Sequence, residues 1–217
     1  MRLTAKTALK FVICEPTRLS RQSRERLESF SAVTYGPFET RQELLNAVIG
    51  ADLIMVRLGH QIDQEVIVAA QGLKIIVSAT TGLNHIDLKE CANRSIDVVC
   101  LRGEMGFLDQ ISSTAELSFA LMLTLARQIT TANDAVKQGA WNRDGFFGLS
   151  LSGLTLGIIG VGRLGRMMAG FAKPFSMRVI GNDVTEVSAG SEFDEITDLE
   201  TLLFSSDFVA IHASHFP

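Results

Sequence analysis

The sequence predicts an α/β protein with parallel sheets, and two observations predict it. Short β-branched runs alternate with helical stretches from the start to about residue 105. Further on, the run L-T-L-G-I-I-G-V-G-R-L-G-R-M-M-A sets Gly160, Gly162 and Gly165 between an apolar strand pattern and a helical one, and Asp183 follows 18 residues after the last glycine. A strand, a glycine turn, a helix, a second strand and an acid in that order form a dinucleotide-binding unit.

In the first region the β-branched and apolar runs at 11–14, 32–35, 53–56, 75–78 and 97–100 read as strands. The stretches 21–29, 41–48, 64–71 and 87–93 read as the helices between them. Ser113-Thr114-Ala115-Glu116 reads as a capping box. The helix it opens is apolar nearly all round from 117 to 126, the pattern of a helix buried between domains or in an oligomer interface. A second helical stretch covers 132–137, and 139–153 is a loop whose Trp141, Phe146 and Phe147 suit packing on a surface. The second region has strands at 154–159, 177–181 and 207–212 and a helix at 163–173, which Pro174 and Phe175 end. Thr197-Asp198-Leu199-Glu200 reads as another capping box before a short helix. This amounts to one βαβαβ half, and a dinucleotide fold needs two.

Each residue of the glycine turn has a physical task. Gly160 permits a tight turn, Gly162 lets the backbone approach a pyrophosphate, and Gly165 lets helix and strand pack closely. The pyrophosphate sits on free N–H groups at the helix N-terminus, with Arg163 adding a charge-assisted contact. Asp183 accepts hydrogen bonds from ribose hydroxyls and repels a 2′-phosphate. Val184, Thr185 and Glu186 offer no basic partner, so NAD is favoured over NADP.

Composition narrows the class. With 47% hydrophobic and 20% charged residues, the chain can bury a core. A net charge of −4 argues against nucleic acid or an anionic membrane as partner. Cys14, Cys91 and Cys100 lack metal-ligand spacing and read as small buried hydrophobes in a reducing, cytoplasmic compartment. The apolar run near the start reads as a first strand, not a signal peptide. The most apolar helix is too short and interrupted to span a bilayer.

Several ordered motifs now coincide. T-T-G-L-N-H-I-D-L at 80–88, S-T-A-E-L at 113–117, W-N-R and G-F-F-G within 141–148, the glycine turn, and S-D-F-V-A-I-H at 206–212 together resemble the D-isomer-specific 2-hydroxyacid dehydrogenases, in their phosphoglycerate dehydrogenase-like branch. The resemblance implies a flavodoxin-like substrate domain over 1–107 that lacks its C-terminal return. It implies the first half of a Rossmann NAD-binding domain over 108–217. It implies hydride transfer between NAD(H) and a small anionic 2-hydroxy or 2-keto acid.

The resemblance also implies residue roles. Backbone N–H groups of Thr81, Gly82 and Leu83 hold the substrate carboxylate, with Thr81 also near the cofactor. Arg57 binds substrate anions. Arg163, Leu164, Asp183 and Ala213 contact the cofactor, and the helix beginning near Thr114 supports a homodimer. The family's catalytic arginine, acid and histidine correspond to no residue here, so no catalytic residue is assigned. His212 matches a non-catalytic position, His215 lies on the terminal tail, and His60 and His85 read as structural or exposed. Ser150 and Leu154 depart from an acidic and a basic residue, and the residues 213–216 depart from a proline-containing loop. The expectation is therefore the N-terminal portion of a dehydrogenase, inactive as 217 residues. A non-catalytic nucleotide-binding or interaction module, or one half of a split enzyme, remain as alternatives.

Overall fold

The computed structural model describes residues 9–16 and 18–213. The chain divides into two compact units, Met1–Met105 and Gly106–Pro217. His215 lies outside the described residues.

The first unit alternates β1 (Leu9–Ile13), α1 (Arg21–Glu28), β2 (Ser31–Tyr35), α2 (Arg41–Val48), β3 (Leu53–Val56), α3 (Gln64–Ala69), β4 (Ile75–Ser78), α4 (Leu88–Asn93) and β5 (Asp97–Cys100). All its strand pairs are parallel, in the order β2-β1-β3-β4-β5. That is the flavodoxin-like order, whose switch point falls between β1 and β3. Strand side chains alternate across the sheet. Val12, Ile54, Val56 and Ile76 are buried in one core with Leu44, Val48, Val66 and Cys91 from the helices. Helix α2 starts at a capping box. Thr40 accepts from the Glu43 N–H, and the Glu43 carboxylate accepts from the Thr40 N–H. Thr40→Ala is expected to cost about 1 kcal/mol of stability by removing that acceptor. A denaturation midpoint unchanged in Thr40→Ala would contradict it.

The second unit holds α5 (Met105–Leu108), α6 (Ser113–Ala126), α7 (Ile129–Lys137), β6 (Thr155–Ile159), α8 (Arg163–Ala172), β7 (Arg178–Asn182), β8 (Glu195–Ile196), α9 (Leu199–Ser205) and β9 (Phe208–Ile211). Its parallel sheet has the order β8-β7-β6-β9. Strand β8, only two residues long, was not legible as a strand in the sequence. With β8 beside β7 and β9 paired to the other side of β6, β9 opens a second half of the sheet rather than completing the first. Helix α8 buries Gly165, Met168, Ala169 and Ala172, one stripe at helical spacing. Phe119 of α6 meets Phe171 and Phe175 at ring distances of 6.1 and 5.0 Å.

Three local readings change. Helix α6 is capped at Ser112, not Ser113, and without a side-chain bond to the backbone; the Ser112 hydroxyl donates to Glu116 instead. Helix α9 starts after Asp198, whose carboxylate accepts from the Thr201 N–H; the box expected from Thr197 does not form. Finally, α6 is not covered all round. Phe119, Met122 and Ala126 are buried, whereas Leu117, Leu121 and Leu125 are 61%, 60% and 71% exposed. On the edge strand β9, Ile211 is 71% exposed. In the loop before β6, Trp141 and Phe147 are also exposed rather than packed.

Candidate functional site

In the second unit the candidate residues gather at the carboxyl ends of parallel strands, where ligands of open α/β sheets bind. β6 runs into Gly160, β7 into Asp183, and β9 into His212 and Ala213. Gly160 has φ +98°, a left-handed conformation that glycine adopts without strain. A Cβ there would lie 2.6 Å from the Ala213 nitrogen, so the turn abuts the end of β9. At Gly165 a Cβ would lie 2.1 Å from the Gly160 carbonyl oxygen, so helix and turn touch through backbone. At Gly162 a Cβ would meet nothing within 4 Å. The two outer glycines are filled by the fold, and the middle one opens onto free space.

Gly162 is also the N-cap of α8, and no side chain caps it. The first-turn N–H groups of Arg163, Leu164 and Gly165 have no intrahelical partner, as at any helix start. Uncapped, they make an anion site strengthened by the helix dipole. The acid is tied to the same turn. Asp183 Oδ2 accepts from the Val161 N–H at 2.9 Å, and Oδ1 accepts from the Thr185 N–H at 3.0 Å and its hydroxyl at 2.9 Å. The Thr185 N–H, then that of Val161, hold the Asp183 carboxyl below its ordinary 3.8 against the opposing effect of burial. The carboxylate is thus ionised and oriented at neutral pH. The Arg163 side chain differs from expectation. Its Nη1 donates to the Leu108 and Ile111 carbonyls at 2.7 and 2.8 Å. What Arg163 offers the turn is therefore its backbone N–H, alongside those of Leu164 and Gly165.

In the first unit, Arg57 follows β3 and is exposed. Its N–H donates to both Glu15 carboxylate oxygens at 3.0 and 2.9 Å, and the Gly59 N–H donates to one of them at 2.8 Å. Glu15, just past β1, fixes this loop. Thr81, Gly82 and Leu83 follow β4. A Cβ on Gly82 would meet nothing within 4 Å, so space lies over this loop as over Gly162. His85 is buried, and its Nε2 lies 3.2 Å from the Ser78 hydroxyl. Burial pushes its pKa down, and the Glu15 charge opposes this. His212 sends its own N–H to the Ile159 carbonyl at 2.7 Å, and its buried Nε2 has no partner among the described residues. It lines a cavity of about 270 Å³ with Ser118, Leu121 and Leu125, and desolvation lowers its pKa. Glu15 and Arg102, whose Nε donates to the Thr81 carbonyl, were missed by sequence reasoning because only strand register brings them to these loops, and Ser78 was read only as the end of a strand.

Residues 11–138 match the family model described as D-isomer specific 2-hydroxyacid dehydrogenase, catalytic domain. The chain belongs to this family. Residues 119–217 match the family's NAD binding domain. A D-3-phosphoglycerate dehydrogenase of Methanocaldococcus jannaschii is 33% identical over 94% of this chain and 38% of its own length. A glyoxylate reductase of Thermococcus litoralis is 35% identical over 79% of this chain and 53% of its own length. The crystal structure of the TT0316 protein from Thermus thermophilus superposes with a TM-score of 0.83 and 31% identity, over 96% of this chain and 66% of that one. The chain thus spans less than two thirds of each of these relatives.

The two histidines and the paired carboxylates set a pH dependence. His85 and His212 both titrate below their ordinary 6.5 in the fold. The unfolded chain therefore binds more protons below that value, and stability falls as pH drops through it. Asp52, held down by Lys74, Asp183 by Thr185, and Asp194 by Lys173 add stability above their ordinary 3.8 that is lost further down. The denaturant midpoint should decline from about pH 7.5 to about pH 5.5 and fall again below about pH 4. A midpoint that rises over the first interval would contradict the histidine assignments. Among the described residues, no helix is long and apolar enough to cross a membrane.

Proposed function

We propose that this chain carries the ADP-holding and substrate-carboxylate-holding parts of an NAD-dependent D-2-hydroxyacid dehydrogenase of the phosphoglycerate dehydrogenase-like kind. One observation supports this most: the open space over Gly162 lies beside uncapped helix N–H groups and an oriented, ionised Asp183. The residues fit the cofactor. Backbone N–H groups of Arg163, Leu164 and Gly165 take the pyrophosphate. Asp183 takes the adenosine ribose hydroxyls and disfavours a 2′-phosphate. Ala213, at the end of β9 beside the turn, serves the cofactor as well. When bound, the nicotinamide gives or receives a hydride. The N–H groups of Thr81, Gly82 and Leu83 hold the carboxylate of a small 2-hydroxy or 2-keto acid, and Arg57 holds anionic groups of the same substrate.

Neither His85 nor His212 is suited to carry the proton. His85 is bonded to Ser78, and the His212 nitrogen sits in a largely apolar cavity. These residues are therefore expected to bind NAD without reducing 2-keto acids. NADH oxidation by the 217-residue chain over a panel of small 2-keto acids tests this; turnover would overturn it. The exposed leucines of α6 support a homodimer through the helix that contains Thr114. The free thiols of Cys14, Cys91 and Cys100 support a cytoplasmic setting.

A further inference from the structure

The loop after β4 is held in an unusual way. Three consecutive peptide carbonyls are each bonded. The Thr80 carbonyl accepts from the Leu101 N–H at 3.1 Å. The Thr81 carbonyl accepts from Arg102 Nε at 3.2 Å. The Gly82 carbonyl accepts from the Thr80 hydroxyl at 2.6 Å. A trans peptide is planar, so fixing its carbonyl fixes the N–H of the next residue on the opposite side. Those next N–H groups belong to Thr81, Gly82 and Leu83. None of them donates to a protein acceptor among the described residues. The fold thus fixes three peptide planes through their oxygens and leaves their hydrogens free, over open space at Gly82. Successive free N–H groups held in place form an anion site.

The third fixed carbonyl depends on a buried relay whose direction is determined. A hydroxyl has one proton to give. Thr80 gives its proton to Gly82, so it accepts from Ser78, 2.7 Å away. Ser78 has then given its own proton, so it accepts from His85 Nε2 at 3.2 Å. His85 therefore carries a proton on Nε2. Ser78 is 1% and His85 5% exposed, so water does not substitute freely at the start of the relay. Arg102 stands at the other side of the loop, after β5, and brings a positive charge to it.

We propose that Arg102 and the relay His85–Ser78–Thr80 are positioning residues that preset the 81–83 loop to receive an anion. The proposal rests on the reading that this loop takes the substrate carboxylate. It adds that affinity for a small 2-keto acid depends on residues that do not touch it.

The test uses the ¹⁵N-labelled chain with pyruvate as probe, and the variants Thr80→Val, Thr80→Ser and Arg102→Met. In the parent chain, pyruvate should shift the Thr81, Gly82 and Leu83 amides. Thr80→Val and Arg102→Met should each weaken binding about tenfold, and Thr80→Ser, which keeps the hydroxyl, should restore it to within about twofold. Backbone order parameters of the same amides should fall in Thr80→Val and Arg102→Met and recover in Thr80→Ser. Parent-like affinity and order in both would overturn the proposal. If Thr80→Val does not fold, the exposed Arg102 still carries the test. Nitrogen spectra of His85 should show the proton on Nε2; a proton on Nδ1 alone would overturn the relay. Loop amides unmoved by pyruvate in the parent would sink the carboxylate reading. The order parameters, measured without ligand, would still decide whether these residues set the loop.

Discussion

Gly165→Ala is expected to destabilise the second unit by about 3 kcal/mol or more, because the added methyl meets backbone rather than a flexible side chain. Its Cβ would stand 2.1 Å from the Gly160 oxygen and 3.2 Å from Ile158 Cγ2, so α8 would have to move off the turn. Gly162→Ala differs by three positions and should behave in the opposite way. Nothing stands within 4 Å of its Cβ, and its φ is −79°. Its stability should stay within about 1 kcal/mol of the parent. NAD affinity should nevertheless fall at least about tenfold, since the methyl occupies the close approach of a pyrophosphate. Thermal unfolding and an NAD titration on both variants separate the two roles. Equal destabilisation by both would mean that Gly162 is a packing residue and that the space over it is not a ligand's.

Asp183→Ala is the second large effect. The carboxylate ties the ends of β6 and β7 together through the Val161 N–H, and in the proposed function it also takes the adenosine ribose. Loss of charge-assisted bonds to two hydroxyls should lower NAD affinity by about tenfold to a hundredfold. The loss should be smaller for a ligand without the adenosine ribose, such as nicotinamide mononucleotide. Because the Asp183 carboxyl is held below 3.8, NAD affinity should show no step from this group between about pH 5 and pH 8. Equal losses for NAD and the mononucleotide would remove Asp183 from the ribose and leave it a structural tie.

Much of the fold was legible because its signals are local. The runs at 53–56, 75–78 and 97–100 are β-branched and bounded by turn residues, and the strands occupy those spans. Helix α2 covers 41–48 as its pattern suggests. Strand β8 escaped because two residues carry no periodicity. The caps of α6 and α9 slipped by one residue, since adjacent Ser112 and Ser113, or Thr197 and Asp198, can each cap a helix. Helix α6 read as apolar on all sides, which does not say which side the chain itself covers.

The glycine turn was legible because glycine at 160 and 165 is demanded by backbone contact, which leaves a mark in sequence, and Gly162 between them opens onto free space. The supports around it were not. Arg163 reaches carbonyls 52 and 55 residues earlier in the chain. Glu15 holds a loop 42 to 44 residues later. Arg102 meets Thr81 only because β5 lies beside β4 in register. Such partners follow from strand order, which a single sequence does not print.

In the proposed function the turn at 160–165 with Asp183 holds the ADP part of NAD. Calorimetric titration of the purified chain with NAD and, separately, NADP tests it most directly. The expected result is one NAD bound per chain, with NADP at least about tenfold weaker because Asp183 repels the added phosphate. A chain that shows a folded circular dichroism spectrum yet binds neither nucleotide, or prefers NADP, would contradict it.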